Sequence, residues 1–183
     1  MIEIRWHGRG GQGAFTSVEM LTLAAIGEGK YAQGFPSFGP ERRRAPVAAF
    51  TRIDDKQIKV RSAIYNPDVV VVLDSSLIGL VNITEGLKPD GTLVINTTQS
   101  PEKLKKVLNF KGRVATVDAS KIAWEKLGIP ITNTTMLGAL IKVLKIVKLD
   151  SVKAPLEHRF GRIAHKNLAA LEKAYEEVKV SSG

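Results

Sequence analysis

The sequence contains no cysteine. That excludes disulfides, thiolate zinc sites and cysteine nucleophiles, and it excludes iron–sulfur clusters, which are held mainly by cysteine thiolates. Histidine is scarce. His7, His158 and His165 are the only three, and no two are spaced to ligate one metal ion from a single helix face. Aromatic residues make up 6% of the chain and do not interleave with its arginine run, which weighs against a module that stacks single-stranded nucleic acid. No apolar run reaches the roughly 18 residues a bilayer span requires. Met1-Ile2-Glu3-Ile4-Arg5-Trp6 has neither the basic start nor the apolar core of a secretion signal, so a cytoplasmic protein with no membrane partner is expected. No G-x-S-x-G nucleophile elbow is present.

What the sequence does have is the composition of a globular protein: 183 residues, 44% hydrophobic and 25% charged. One domain over residues 1–183 is expected, large enough to bury a core without staples. Lysine and arginine number 27 against 18 acidic residues, a formal charge of +9. Such an excess suits nucleic acid, nucleotides, phosphorylated cofactors or an acidic protein surface. A solvated lysine-rich surface is the plainer reading.

Hydrophobic periodicity gives alternating strands and helices. Ile2 to His7 reads as a strand, and Gln12 to about Glu28 as a helix apolar nearly all round, which implies burial on several sides. The segment from Gln33 to Pro46, rich in proline and glycine, reads as a long loop. Val47 to Ile53 and Gln57 to Ser62 read as a hairpin about Asp54-Asp55-Lys56. Asp68 to Asp74 is a β-branched run of the kind found in doubly covered parallel strands. Thr92 to Asn96 and Arg113 to Asp118 read as further strands, with helices over Pro101 to Leu108 and Ser120 to Leu127. Asn133 reads as the N-cap of a helix from Thr134 to about Lys148, and a last amphipathic helix starts near Gly161. The expected fold is α/β: three layers, a mostly parallel but mixed sheet with helices on both faces, and a Rossmann-like first βα unit.

The sharpest motif is Gly8-Arg9-Gly10-Gly11-Gln12-Gly13, between the first strand and the first helix. Glycines there permit a tight turn and close approach of backbone to ligand, and a helix start presents free N–H groups to an anion. Arg9 adds a bidentate donor. The spacing matches G-x-G-x-x-G, but no acidic residue follows at the end of a second strand to hold an NAD(P) ribose. Three readings stay open: phosphate or pyrophosphate binding, NAD(P) binding, and glycines that only permit tight packing. The adjacent arginines Arg42, Arg43 and Arg44 either neutralise an anion or carboxylate-bearing partner, or point apart into solvent. Asp74 lies where open α/β sheets bind ligands, and equally reads as an N-cap for the segment from Ser75. His7 either contacts a ligand beside the glycine turn or packs.

Three motifs recur in one order: the glycine turn, Phe35-Pro36-Ser37-Phe38-Gly39-Pro40-Glu41-Arg42, and Asn133-Thr134-Thr135-Met136-Leu137-Gly138-Ala139. Together they resemble the gamma subunit of 2-oxoacid:ferredoxin oxidoreductases, of which pyruvate synthase is the best-known member. Arg42-Arg43-Arg44-Ala45 is more basic than the family's usual loop at this point. The resemblance implies a multi-subunit enzyme that decarboxylates a 2-oxoacid oxidatively with coenzyme A, giving acyl-CoA and carbon dioxide, and passes electrons to ferredoxin. It implies alpha, beta and delta-type partner subunits. It implies thiamine diphosphate, magnesium and iron–sulfur clusters in the complex. This chain shows no G-D-G…N-N thiamine diphosphate pattern and has no cluster ligands, so those groups fall to partner subunits and the isolated chain is expected to be non-catalytic. By resemblance it helps to form the coenzyme A site, with Gly8, Arg9, Gly10, Gly11, Gln12, Gly13, Arg42, Arg43 and Arg44 as the candidate contacts.

Overall fold

The four valines Val69 to Val72 are all buried, because the strand they form is covered on both faces. In the computed structural model, which describes residues 1–37 and 44–181, that strand sits in the middle of a sheet. The sheet has seven strands among the described residues, in the order β2-β3-β1-β4-β5-β6-β7. Strands β1 (Ile2–Arg9), β4 (Val69–Val72), β5 (Thr92–Asn96) and β6 (Arg113–Val117) run parallel. Strand β3 (Pro46–Asp54) pairs antiparallel with β1, β2 (Tyr31–Pro36) with β3, and β7 (Lys179–Val180) with β6. The expected mixed sheet is therefore observed. Arg42 and Arg43 lie outside the described residues.

The two faces are covered unequally. On one, Ile4, Trp6, Val71 and Val94 meet helices α1 (Ala14–Gly27), α3 (Ala119–Leu127), α4 (Asn133–Leu144), α5 (Lys153–Phe160) and α6 (Ala164–Glu177). On the other, Val70, Val72 and Ile95 meet Leu104 of α2 (Pro101–Val107) and Ile83 of the segment between β4 and β5. Helix α4 is buried from Asn133 through Ile141. It can lie against α6 because position 138 is glycine: a Cβ there would collide with the Leu171 carbonyl. Trp6 is fully buried on β1, and its indole N–H donates to Thr51 Oγ1 on β3 (3.0 Å). That satisfies its one polar group inside the core.

Short-range rules account for two of the helix starts. Pro101 opens α2, Ser100 caps it by accepting from the Lys103 N–H (3.3 Å), and Asp118 caps α3 through the Lys121 N–H (3.0 Å).

Four expectations are corrected. The first concerns Tyr31–Pro36, which is strand β2 rather than part of a loop. Gly34 allows it to press on α1, since a Cβ there would stand 2.6 Å from Val18 Cγ1 and 2.7 Å from Thr22 Oγ1. Second, Gln57 to Ser62 forms no strand. Strand β3, the partner a hairpin would need, already has β1 on one side and β2 on the other, and Val60 stays 42% exposed. Third, α4 stops at Leu144, where Lys145 takes a left-handed conformation (φ 53°) and terminates the helix. Fourth, α1 is buried on several sides as expected, but its apolar surface is not wholly covered: Phe15, Leu23 and Ile26 are 46%, 42% and 51% exposed.

Candidate functional site

Strand β1 continues two residues past His7, because Gly8 and Arg9 still pair with Val47 and Pro46 of β3. The chain then turns through Gly10 to Gly13. Gly11 (φ +92°) and Gly13 (φ +75°) adopt a conformation that side-chain-bearing residues rarely take. The turn is braced by its own backbone and by the segment leading into β3. The Gly10 N–H donates to the Ala45 carbonyl (2.9 Å), the Arg44 N–H to the Gly10 carbonyl (3.2 Å) and the Gln12 N–H to the Arg9 carbonyl (3.0 Å). The Gln12 side chain folds back, with Oε1 accepting from the Arg9 N–H (2.7 Å). The N–H groups of Gly11, Gly13, Ala14, Phe15 and Thr16 are left without a partner among the described residues. Gly13 occupies the N-cap position of α1 and offers no side-chain cap.

Arg9 is not a free anion hook. Its guanidinium donates to Ser76 Oγ (2.8 and 3.1 Å) and to the Arg44 carbonyl (2.9 Å), and lies 3.4 Å from Asp74 Oδ2. Asp74 also accepts from Gln12 Nε2 (2.7 Å) and from the Ser76 N–H (2.9 Å). Partial burial pushes the Asp74 carboxyl up. Hydrogen bonds from Ser76 and Gln12, with the nearby Arg9 charge, outweigh that and leave it below the usual carboxylate range. Asp74 is therefore the N-cap reading made concrete, and its carboxylate anchors the glycine turn to the end of β4. An NAD(P) site of Rossmann type would need a ribose-holding carboxylate on a second parallel strand. Here β2 is an antiparallel edge strand, and the carboxylate beside β1 is already saturated.

Beside the turn, at the carboxyl ends of the parallel strands, lies a cleft of about 480 Å³. Gln12, Asp74, Asn96, Thr97, Ser120 and Thr132 give it a polar lining. Open α/β sheets bind ligands in such a crevice. The floor is held rigidly: Asn96 Nδ2 and the Thr132 hydroxyl both donate to the Leu73 carbonyl (2.9 and 3.2 Å), and Asn96 Oδ1 accepts from the Ser120 N–H (3.2 Å).

The start of α4 meets the start of α1 at the same place. Thr132, not Asn133, is the N-cap residue of α4. Asn133 accepts from the Thr134 N–H through Oδ1 (2.7 Å) and from the Ser17 hydroxyl through its carbonyl (3.0 Å). Its Nδ2 points to Gly13 so closely that a Cβ at position 13 would collide with it. Sequence reasoning assigned Asn133 only a capping role. The polar Asn-Thr-Thr start of an otherwise apolar helix was the available signal.

His7 faces the other side of β1. Arg5 Nε donates to His7 Nε2 (3.0 Å), and Arg5 itself is fixed by the carbonyls of Ile83 and Glu85 (3.1 and 2.6 Å). Burial, and then the Arg5 charge, push the His7 pKa down to about 4. The imidazole is thus neutral near pH 7 with its proton on Nδ1. His158 and His165 lie on α5 and α6. No group of three metal-ligating side chains occurs among the described residues, and none of their helices is long and apolar enough to cross a membrane.

Comparison with known proteins agrees with this architecture. The family model for pyruvate ferredoxin/flavodoxin oxidoreductase matches residues 3–177. The common subunit gamma of pyruvate/ketoisovalerate oxidoreductases from Thermococcus kodakarensis is 53% identical over 182 residues, covering 98% of both chains. The crystal structure of pyruvate oxidoreductase subunit PORC from Thermotoga maritima superposes with a TM-score of 0.89 at 44% identity, covering 99% of this chain and 98% of that one. The fold also matches 30% of a chain of 2-oxoglutarate:ferredoxin oxidoreductase from Magnetococcus marinus, solved with 2-oxoglutarate, coenzyme A and succinyl-CoA, with a TM-score of 0.78 at 20% identity. With a family model spanning nearly its whole length and relatives of more than half its residues identical, the chain belongs to the pyruvate ferredoxin/flavodoxin oxidoreductase family, as a gamma subunit of the multi-subunit enzyme.

Proposed function

We propose that this subunit supplies part of the coenzyme A site of a 2-oxoacid:ferredoxin oxidoreductase, with pyruvate as the oxoacid. The observation that carries the proposal is the set of N–H groups of Gly11, Gly13, Ala14, Phe15 and Thr16, without a partner among the described residues and opening beside a polar cleft at the carboxyl edge of the sheet. Free amides at the positive end of a 14-residue helix suit a phosphate. Coenzyme A carries phosphates at one end and its reactive thiol at the other. Holding the phosphate end here leaves the thiol free to reach a reacting centre on a companion subunit. The presence of coenzyme A in the Magnetococcus marinus enzyme of the same fold is in keeping with this.

The chain's own groups do not fit the redox cofactors. With no cysteine and no cluster of metal-ligating side chains among the described residues, thiamine diphosphate, magnesium and iron–sulfur clusters belong to the alpha, beta and delta-type partners, which also deliver electrons to ferredoxin. Arg9, Gln12 and Asp74 shape the turn, Gly11 and Gly13 give backbone access, and Arg44 reaches the turn through its backbone. Arg42 and Arg43, outside the described residues, are proposed to add charge around the same anion.

Reconstitution tests the proposal. Mixing the partner subunits with and without this chain, and following coenzyme A-dependent reduction of a ferredoxin-type acceptor, should show activity only when the chain is present. Gly10→Val in the assembled enzyme should raise the KM for coenzyme A, because a branched side chain obstructs backbone approach. Full activity without the chain contradicts the proposal.

A further inference from the structure

The start of α4 is buried, yet the segments tied to it turn apolar side chains outward. Asn133 holds α1: its carbonyl accepts from the Ser17 hydroxyl (3.0 Å), and its side chain fills the space against Gly13. Between Gly13 and Ser17 stands Phe15, exposed. Thr134 holds the start of α6: its hydroxyl donates to Asn167 Oδ1 (2.9 Å), and Asn167 Nδ2 donates to the Ile163 carbonyl (3.2 Å). The Ile163 side chain is exposed. The loop that enters α4 carries Ile129 and Ile131, both exposed, on either side of Pro130, which lines the polar cleft. Four exposed apolar residues are thus gathered about one buried helix start, at the helix-side rim of the cleft. On a subunit of a multi-subunit enzyme, such a cluster marks a surface that assembly covers.

Charge and position identify what covers it. From Lys153 to Lys166 the one acidic residue is Glu157, and Arg159 and Arg162 are exposed beside Ile163. In a contact between two copies the patch would meet itself, setting these arginines against another chain of net charge +9. A different subunit, with carboxylates around an apolar centre, avoids that repulsion. The cleft also holds no reacting group of this chain, so a thiol lodged there must meet a centre brought over the carboxyl edge of the sheet. We propose that Phe15, Ile129, Ile131 and Ile163, with Arg159 and Arg162 at the margin, form the docking surface for the companion subunit that carries the reacting centre. This inference rests on the proposed function and names the partner of that same site. The surface is set before docking, because hydrogen bonds to α4 fix the segments bearing Phe15 and Ile163 and Pro130 stiffens the loop, so little ordering entropy is lost on association.

The chain has no cysteine, so Ile131→Cys and Ile163→Cys each give it a single thiol. Each full-length variant is labelled with a photoactivatable cross-linker, reassembled with the partner subunits and irradiated, and the joined peptides are identified by mass spectrometry. Both positions should join to one companion subunit, and that subunit should be one that binds thiamine diphosphate. Ile163→Glu places a charge in the apolar centre and should weaken incorporation of this chain into the complex by about tenfold or more. Ile26→Glu, at the far end of α1, should change incorporation by no more than about twofold. Cross-links to a second copy of this chain, to a subunit without thiamine diphosphate, or to none overturn the docking surface, as does equal weakening by Ile163→Glu and Ile26→Glu. The coenzyme A reading stands or falls separately. If the cross-links go elsewhere while Gly10→Val still raises the KM for coenzyme A, only the docking surface is overturned. If the cross-links reach the thiamine diphosphate subunit while Gly10→Val leaves that KM unchanged, the docking surface stands and the coenzyme A site falls.

Discussion

The parallel half of the sheet and its antiparallel flank are built by different rules. Strands β4 and β5 are buried along their whole length and covered on both faces. Strand β2, at the far edge of the flank, has no fully buried residue. β1 belongs to both halves: it is parallel to β4 on one side and antiparallel to β3 on the other. The candidate site sits at that seam. The parallel half contributes the crevice at its carboxyl edge, and the flank holds Arg44 and Ala45 against the glycine turn. A site that needs both a deep crevice and a braced turn is well placed where the strand direction changes.

Four substitutions or conditions would break or sharpen this comparison. The largest effect is expected behind the parallel half. Gly138→Val drives a branched side chain into the Leu171 backbone. A carbonyl in a helix cannot swing aside, so the cost should exceed the usual 1–3 kcal/mol of overpacking and the chain should fail to fold, as circular dichroism would show.

The next effect is at the seam and depends on pH. His7 titrates at about 4 in the folded protein against 6.5 in the unfolded chain. Between those values the unfolded chain binds more protons, so stability falls as pH drops from about 6.5 to 4 and is level above. At about 1.4 kcal/mol per pKa unit, His7 accounts for up to about 3 kcal/mol. Melting curves across that range should show the slope in the wild type and lose it in His7→Gln.

On the flank the cost should be smaller. Gly34→Val meets side-chain atoms of Val18 and Thr22 rather than backbone, which can shift, and roughly 1–3 kcal/mol is expected from denaturant unfolding. The smallest effect tests the segment that forms no strand. Val60→Ser should change stability by no more than about 0.5 kcal/mol; a loss of several times that would mean the segment is held as tightly as a strand.

Legibility in the sequence divides along the same seam. The parallel strands were readable because burial on both faces demands unbroken apolar runs, as in Val69 to Val72 and Thr92 to Asn96. The N-cap role of Asp74 was readable because its hydrogen bond from the Ser76 N–H is local. Strand β2 was not, since Gly34 and Pro36 signal a turn in isolation. Only the packing of Gly34 on α1 and the edge position of the strand make them acceptable. Gln57 to Ser62 failed for the opposite reason: its alternation suits a strand, but β3, the hairpin partner it would need, is already paired on both sides. At the site, the glycine turn was legible and its wiring was not. Arg9 looked like a ligand hook, and only the fold reveals that Ser76 and Asp74, more than sixty residues away in sequence, have claimed it. The pairing of Asn133 with Gly13 likewise depends on how α4 crosses α1.

The central claim is that the backbone at the start of α1 grips the phosphate end of coenzyme A. Hydrogen–deuterium exchange on the assembled enzyme, with and without saturating coenzyme A, measures those amides directly. Exchange at Gly11 through Thr16 should slow markedly on binding and return to its original rate with pantetheine. Unchanged exchange over those residues in an enzyme saturated with coenzyme A would contradict the claim.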